Sequence, residues 1–114
     1  MSVTVQCYLT PLSNRYSDGL ERVEAYVRPQ WEPLVPKPPA GQRVTITLVT
    51  QTGRYRGGLR TYPKKEQIYI CPDLTTIPAG TRTSLAKLLD ENGYRPKDYV
   101  DFIVENEVWK LKKP

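Results

Sequence analysis

The sequence predicts a mainly β fold with one or two short helices, an α+β domain, on three observations. Eleven prolines and seven glycines in 114 residues divide the chain into short segments joined by turns. Eight tyrosines and two tryptophans suit pleated, half-buried surfaces. Apolar residues recur at every second position in several stretches and at helical spacing in one. The length and a hydrophobic content of 39% fit a single domain, residues 1–114, with one modest core.

Val3, Val5, Cys7 and Leu9 alternate with Ser2, Thr4, Gln6, Tyr8 and Thr10, the pattern of a half-buried strand that Pro11 should end. Residues 11–19 are polar and turn-rich. Residues 19–28 carry two patterns. Asp18 and Glu21 have capping-box spacing, and Leu20, Val23 and Val27 share a helical face. Val23, Ala25 and Val27 also alternate as in a strand; the capping signal tips the reading towards a short helix. Five prolines between Pro29 and Pro39 then make an extended, unpaired connector, pinned to the body by Trp31 and Leu34.

Arg43 to Thr50 is the clearest strand, with Val44, Ile46 and Leu48 on one face and Thr45, Thr47 and Val49 on the other. Gln51-Thr52-Gly53 turns the chain, and Arg54 to Arg60 returns, with Gly57-Gly58 marking a bulge or a close backbone approach. Thr61 to Glu66 is a loop, and Gln67 to Cys71 an apolar, aromatic strand closed by Pro72. The one clear helix runs from Thr83 to Asn92. Leu85, Leu88 and Leu89 lie at i, i+3 and i+4, Thr81 or Thr83 can cap the start, and Gly93 is the stop. Arg95-Pro96-Lys97-Asp98 turns the chain into a hairpin, with Val100, Phe102 and Val104 on its first strand and Val108 to Leu111 on its second.

Composition excludes much chemistry. There is no histidine, so imidazole bases, Ser-His and Cys-His nucleophiles and most zinc sites are ruled out. Cys7 and Cys71 are isolated, read best as small buried hydrophobes, and cannot build a structural zinc site. No phosphate-binding glycine loop is present. Asp98, Asp101 and Glu66 lack the spacing of a metal-dependent nuclease and read as solvated turn carboxylates. No catalytic residue, metal or cofactor is expected. No run of about 18 apolar residues spans a membrane, and Met1 to Val5 lack the start of a signal peptide. An intracellular location, cytoplasmic or nuclear, is therefore expected.

The net charge of +5 is unevenly distributed. No acidic residue lies between Glu32 and Glu66, whereas Lys37, Arg43, Arg54, Arg56, Arg60, Lys64 and Lys65 do. Residues 66–109 hold eight acidic residues against Arg82, Lys87, Arg95 and Lys97. Segregation of this kind gives the molecule a directed field. Within the basic segment, Arg54-Tyr55-Arg56 and Leu59-Arg60-Thr61-Tyr62-Pro63-Lys64-Lys65 interleave cations with aromatics. Arginine's planar fork bonds phosphate in two places or reads guanine, lysine supplies point charge, and Thr61 and Tyr62 add neutral donors. Asn14, Arg15 and Tyr16, within Ser13 to Ser17, form a second polar surface suited to phosphates or base edges.

The order of these features resembles the DNA-binding pseudobarrel shared by plant B-three-type domains and by the amino-terminal effector domains of EcoRII-like restriction endonucleases. The likeness spans about residues 43–111. It is strongest over Tyr55-Arg56-Gly57-Gly58-Leu59-Arg60-Thr61-Tyr62-Pro63-Lys64 and Ile68-Tyr69-Ile70-Cys71-Pro72, and in the helix, glycine, turn and strand from Leu85 to Val104. It departs at Arg95-Pro96-Lys97-Asp98, where a glycine is usual, and in the connector 29–39. The resemblance implies a small open pseudobarrel of about seven strands that grips duplex DNA with two arms. Arg60, Thr61, Tyr62, Lys64, Lys65 and Gln67 would form one arm, and Ser13 to Ser17 the other. It also implies a target-recognition or effector role, with any catalytic domain beyond Pro114.

The expected partner is double-stranded DNA, contacted by Arg54, Arg56, Arg60, Thr61, Tyr62, Lys64, Lys65, Gln67, Asn14, Arg15 and Tyr16. Two rivals stay open. One is a protein-interaction module docking an acidic partner, which exposed Trp31 and Tyr26 would favour. The other is a barrel that stacks unpaired RNA bases on Tyr55, Tyr62 and Tyr69.

Overall fold

The alternating runs become strands that turn their apolar sets inward. The computed structural model describes residues 2–17, 19–64 and 66–112. Strand β1 (Val3–Arg15) buries Val5, Cys7 and Leu9, and β2 (Glu21–Val27) buries Val23, Ala25 and Val27. Strands β3 (Val44–Val49) and β4 (Arg54–Thr61) contribute Ile46, Leu48, Tyr55 and Leu59. Strand β5 (Ile68–Ile70) adds both isoleucines, and β6 (Asp73–Ile77) and β7 (Arg82–Ser84) form a hairpin bringing in Leu74. The closing hairpin, β8 (Tyr99–Glu105) and β9 (Val108–Leu111), inserts Val100, Phe102, Val104 and Trp109. Phe102 and Trp109 meet edge to face, 5.7 Å between centroids, in the favoured geometry for aromatic pairs.

Seven strands form a ring in the order β1-β2-β5-β4-β3-β9-β8, and β8 bonds back to β1. The expected small, mainly β pseudobarrel of about seven strands is present; β3, paired with both β4 and β9, closes it. Closure leaves the ring no open edge. The β6–β7 hairpin attaches to β4 outside the ring. One side of β4 is shared, with Arg54 to Arg56 facing β6 and Leu59 to Thr61 facing β5. Helix α1 (Leu85–Glu91) buries Leu85, Ala86, Leu88 and Leu89 in the common core and lies against β2 and β7. Its cap is Ser84, whose hydroxyl accepts from the Lys87 amide at 3.1 Å, one residue after the expected Thr83. Gly93, at φ 88°, is the left-handed stop that the sequence indicates.

Several expectations are corrected. Residues 21–27 form a strand, not a helix: β2 bridges β1 and β5, and without it the ring would be open. The expected helix cap there, Asp18, lies outside the described residues. Strand β1 does not stop at Pro11. By then β8 has already left β1, and Pro11 pairs with Val23 where the β1–β2 register shifts, so the missing amide costs little. Ser13, Asn14 and Arg15 therefore end a strand. The connector is not wholly extended: Pro29–Leu34 is a 3-10 helix, Trp31 packs half-buried on the core, Leu34 is 48% exposed, and buried Val35 does the pinning instead. Val44 shares the face of Ile46 and Leu48, opposite Leu59, but at the start of its strand it remains exposed. Gly57-Gly58 is no bulge, because the β3–β4 register runs unbroken from Val44↔Leu59 to Val49↔Arg54. It is the close approach, as the next section develops.

Candidate nucleic-acid interface

Tyr55, Gly57, Leu59 and Thr61 are buried, so the period of two along β4 turns Arg54, Arg56, Gly58 and Arg60 to the outer wall. The glycine would leave a gap in this row, but the Arg43 side chain fills it. A Cβ on Gly58 would run into the Arg43 guanidinium. Arg54, Arg56, Arg43 and Arg60 thus follow one another along a single wall, with a spacing of about 6.6 Å set by the strand rise. Gly57 keeps the wall close to the core on the inner side, since a Cβ there would sit 2.8 Å from Leu74 Cδ2.

Beside this row, between β4, the β6–β7 hairpin and α1, opens a cleft of about 710 Å³ with Arg43, Arg56, Arg82 and Lys87 on its rim. Among the described residues its one acidic side chain, Asp73, is already engaged. Arg22 Nη2 lies 3.1 Å from Asp73 Oδ2, and the Tyr16 hydroxyl is 3.3 Å from Oδ1 and 2.9 Å from the Pro72 carbonyl. Arg22 also stacks over the Tyr16 ring at 5.1 Å. Burial first, then the Asp73 charge, push the Tyr16 phenol above its usual range. Among the described residues the ion pairs are Arg22–Asp73 and Lys37–Glu66. Arg43, Arg54, Arg56, Arg60, Arg82 and Lys87 have no described carboxylate within 4.0 Å. Among the described residues, the cleft and the row are a cationic surface that no carboxylate ion-pairs beyond Asp73 with Arg22 and Glu66 with Lys37.

Cys71 is half-buried, within the electrostatic reach of Arg43 and Arg60. Burial raises its thiol despite both guanidiniums, so it is not an activated nucleophile. Neither cysteine is in a disulfide.

No protein-family profile, no curated protein and no solved structure matches this chain. The surface is therefore interpreted from its own chemistry. Arg54, Arg56 and Arg60 share the wall. Tyr62 and Lys64 are exposed on the loop after β4, and Gln67 is half-buried there. The Tyr62 amide donates to the Gln67 carbonyl and the Glu66 amide to the Tyr62 carbonyl, both at 2.7 Å, which holds the loop. Lys65 lies outside the described residues. Thr61 does not belong to the surface. It is buried, and its hydroxyl donates to the Pro38 carbonyl at 2.7 Å, clamping the connector onto β4.

The other predicted arm is partly occupied. Asn14 is exposed, Arg15 Nη1 donates to the Gly19 carbonyl at 3.0 Å, and Tyr16 is bound as described. Arg15 faces Glu21, whereas the loop of Tyr62 leads into β5, whose Tyr69 faces Tyr26. The two arms thus stand at opposite ends of β2, about 20 Å apart at the rise of a strand, with the outer face of β2, β5 and β4 between them. Sequence reading missed Arg82 and Lys87 as members of the surface and left Arg43 unassigned. Arg82 sits on a hairpin whose Thr-rich strands have no apolar alternation, so nothing in the linear pattern brings it to β4.

Proposed function

We propose that this domain binds double-stranded DNA through the outer wall of β4 and the adjoining cleft. Phosphates would be held by Arg43, Arg54, Arg82 and Lys87, and base edges contacted by Arg56, Arg60 and Tyr62. The observation that carries the reading is the continuous row of arginines with no carboxylate partner among the described residues, in which a glycine makes room for one guanidinium. Such a row costs stability through self-repulsion, and a polyanion offsets that cost. The separation of the two end loops along β2 favours a ligand as broad as a duplex lying across the sheet.

The test is fluorescence anisotropy of a labelled random duplex over a salt series. Four phosphate contacts give a log–log slope of about −3 to −4. The double replacement Arg54→Ala, Arg82→Ala, which removes two of those phosphate contacts, should flatten it by about 2. Affinity that ignores salt would overturn the proposal. Selection from a randomised duplex library, with and without cytosine methylation, then tests for sequence reading. The rival docking reading loses its main support, because Trp31 packs against the core, and Tyr55 is buried and so is unavailable for base stacking.

A further inference from the structure

A second line of residues crosses the barrel at right angles to the strands. Tyr99 on β8 faces Tyr8 on β1, Tyr8 faces Tyr26 on β2, Tyr26 faces Tyr69 on β5, and Tyr69 faces Arg60 on β4. Four tyrosines and an arginine therefore occupy one register across five adjacent strands, all on the outside. No single stretch of sequence contains this row; the lateral pairing of strands creates it. The rings associate in two pairs: Tyr8 with Tyr99, centroids 5.2 Å apart, and Tyr26 with Tyr69, at 5.1 Å and nearly parallel at 28°. A groove of about 640 Å³ is lined by three members of the row, Tyr8, Tyr26 and Tyr99, together with Tyr62 and Arg28. The Arg28 guanidinium sits 4.8 Å over the Tyr99 ring, so a cation stands at each end of the row, Arg28 at one and Arg60 at the other.

We infer that this tyrosine row is a binding site for single-stranded nucleic acid, with bases stacked on the ring pairs and phosphates carried by Arg28 and Arg60. Neutral π-faces accept any base, and cations spaced along such a platform hold the backbone. In a duplex the base faces cover one another, so only an unpaired strand can use these rings. The carboxylate in the groove, Glu24, accepts from the Tyr26 hydroxyl at 2.9 Å, which holds that ring and keeps phosphate away from the floor. Burial and Glu24 push the Tyr26 phenol well above its usual range, and burial raises that of Tyr69. Arg60 joins this row to the arginine row of β4, which gives a strand leaving the tyrosines a continuous cationic path.

The inference does not rest on the duplex reading, and one set of samples separates them. A labelled oligothymidine, oligouridine and random duplex are titrated against the wild-type domain and three variants, with melting curves as a control. Tyr26→Phe keeps the ring but loses its bond to Glu24, and should retain more single-strand binding than Tyr26→Leu. Tyr26→Leu and the half-exposed Tyr99→Leu remove a ring and should each weaken single-strand binding roughly tenfold. Binding of either oligonucleotide with this ranking supports the site, whether or not the duplex binds. Absence of single-strand binding by the wild type, or a folded Tyr99→Leu variant that binds as wild type does, overturns it and leaves the duplex reading standing.

Discussion

Gly58 decides where the fourth arginine lies. Because the obstacle to a Cβ there is a flexible side chain, Gly58→Ala should displace Arg43 into solvent at little cost to the fold, within about 0.5 kcal/mol, while weakening duplex binding and reducing the salt slope by about 1. Gly57→Ala is the contrasting case. Its Cβ would press on Leu74 and Leu48 in the core, and overpacking should cost ~1–3 kcal/mol, read from the denaturant midpoint. Thr61 supplies a third contrast. Thr61→Val keeps the shape but leaves the Pro38 carbonyl without its donor, so ~1–2 kcal/mol of stability should be lost with duplex affinity unchanged. A Thr61→Val variant that folds normally yet binds DNA poorly would restore Thr61 to the interface. Sequence alone could put Arg54 and Arg56 on one face, because a period of two needs no partner strand, but not carry that face past Gly57-Gly58 to Arg60. It could not separate Thr61 from Tyr62, adjacent polar residues of which one is buried under a proline carbonyl.

At the scale of elements, the ambiguous segment 19–28 shows how local signals yield to pairing. Leu20, Val23 and Val27 would have served a helix, yet only Val23, Ala25 and Val27 can face inward from a strand held between β1 and β5. Intrinsic preferences of a few tenths of a kcal/mol per residue are small beside the backbone hydrogen bonds of two ladders. Helix α1 was legible because its apolar spacing and glycine stop are local, although its cap is Ser84 and not Thr81 or Thr83. Replacing its true cap, Ser84→Ala, should cost about 1 kcal/mol, whereas Thr83→Ala should cost much less; comparison of their melting curves checks the assignment. The β6–β7 hairpin escaped notice for the opposite reason. Its strands alternate weakly, and it gains its place by adding to the half of β4 that β5 leaves open.

For the molecule as a whole, ring closure sets both stability and pH response. Cys7 is fully buried in β1, and burial raises its thiol well above the ordinary value near 9.0; the half-buried Tyr26 phenol is likewise raised from 10.0. In the unfolded chain these groups lose their protons near their ordinary values, while the folded barrel still holds them. The unfolded state then binds fewer protons, so stability must fall as pH rises. Melting temperature should be level with respect to these groups below about pH 8 and decline above about pH 9, and Cys7→Ala should move the onset of the decline to higher pH. An unchanged onset in that variant would mean that the thiol does not govern the alkaline limb.

Periodicity, turn chemistry and charge counts are properties of neighbours along the chain. They settled the mainly β class, the helix with its stop, the carboxy-terminal hairpin and the basic character of the middle third. Tertiary structure decided the rest: that seven strands close into a ring, that residues 21–27 are one of them, that Arg43 lies over Gly58, and that four tyrosines on four strands share one register. Those features depend on which strands lie side by side. Contacts between residues as distant as Tyr8 and Tyr99 are set by lateral hydrogen bonding and shared burial, and neither leaves a periodic trace in the sequence.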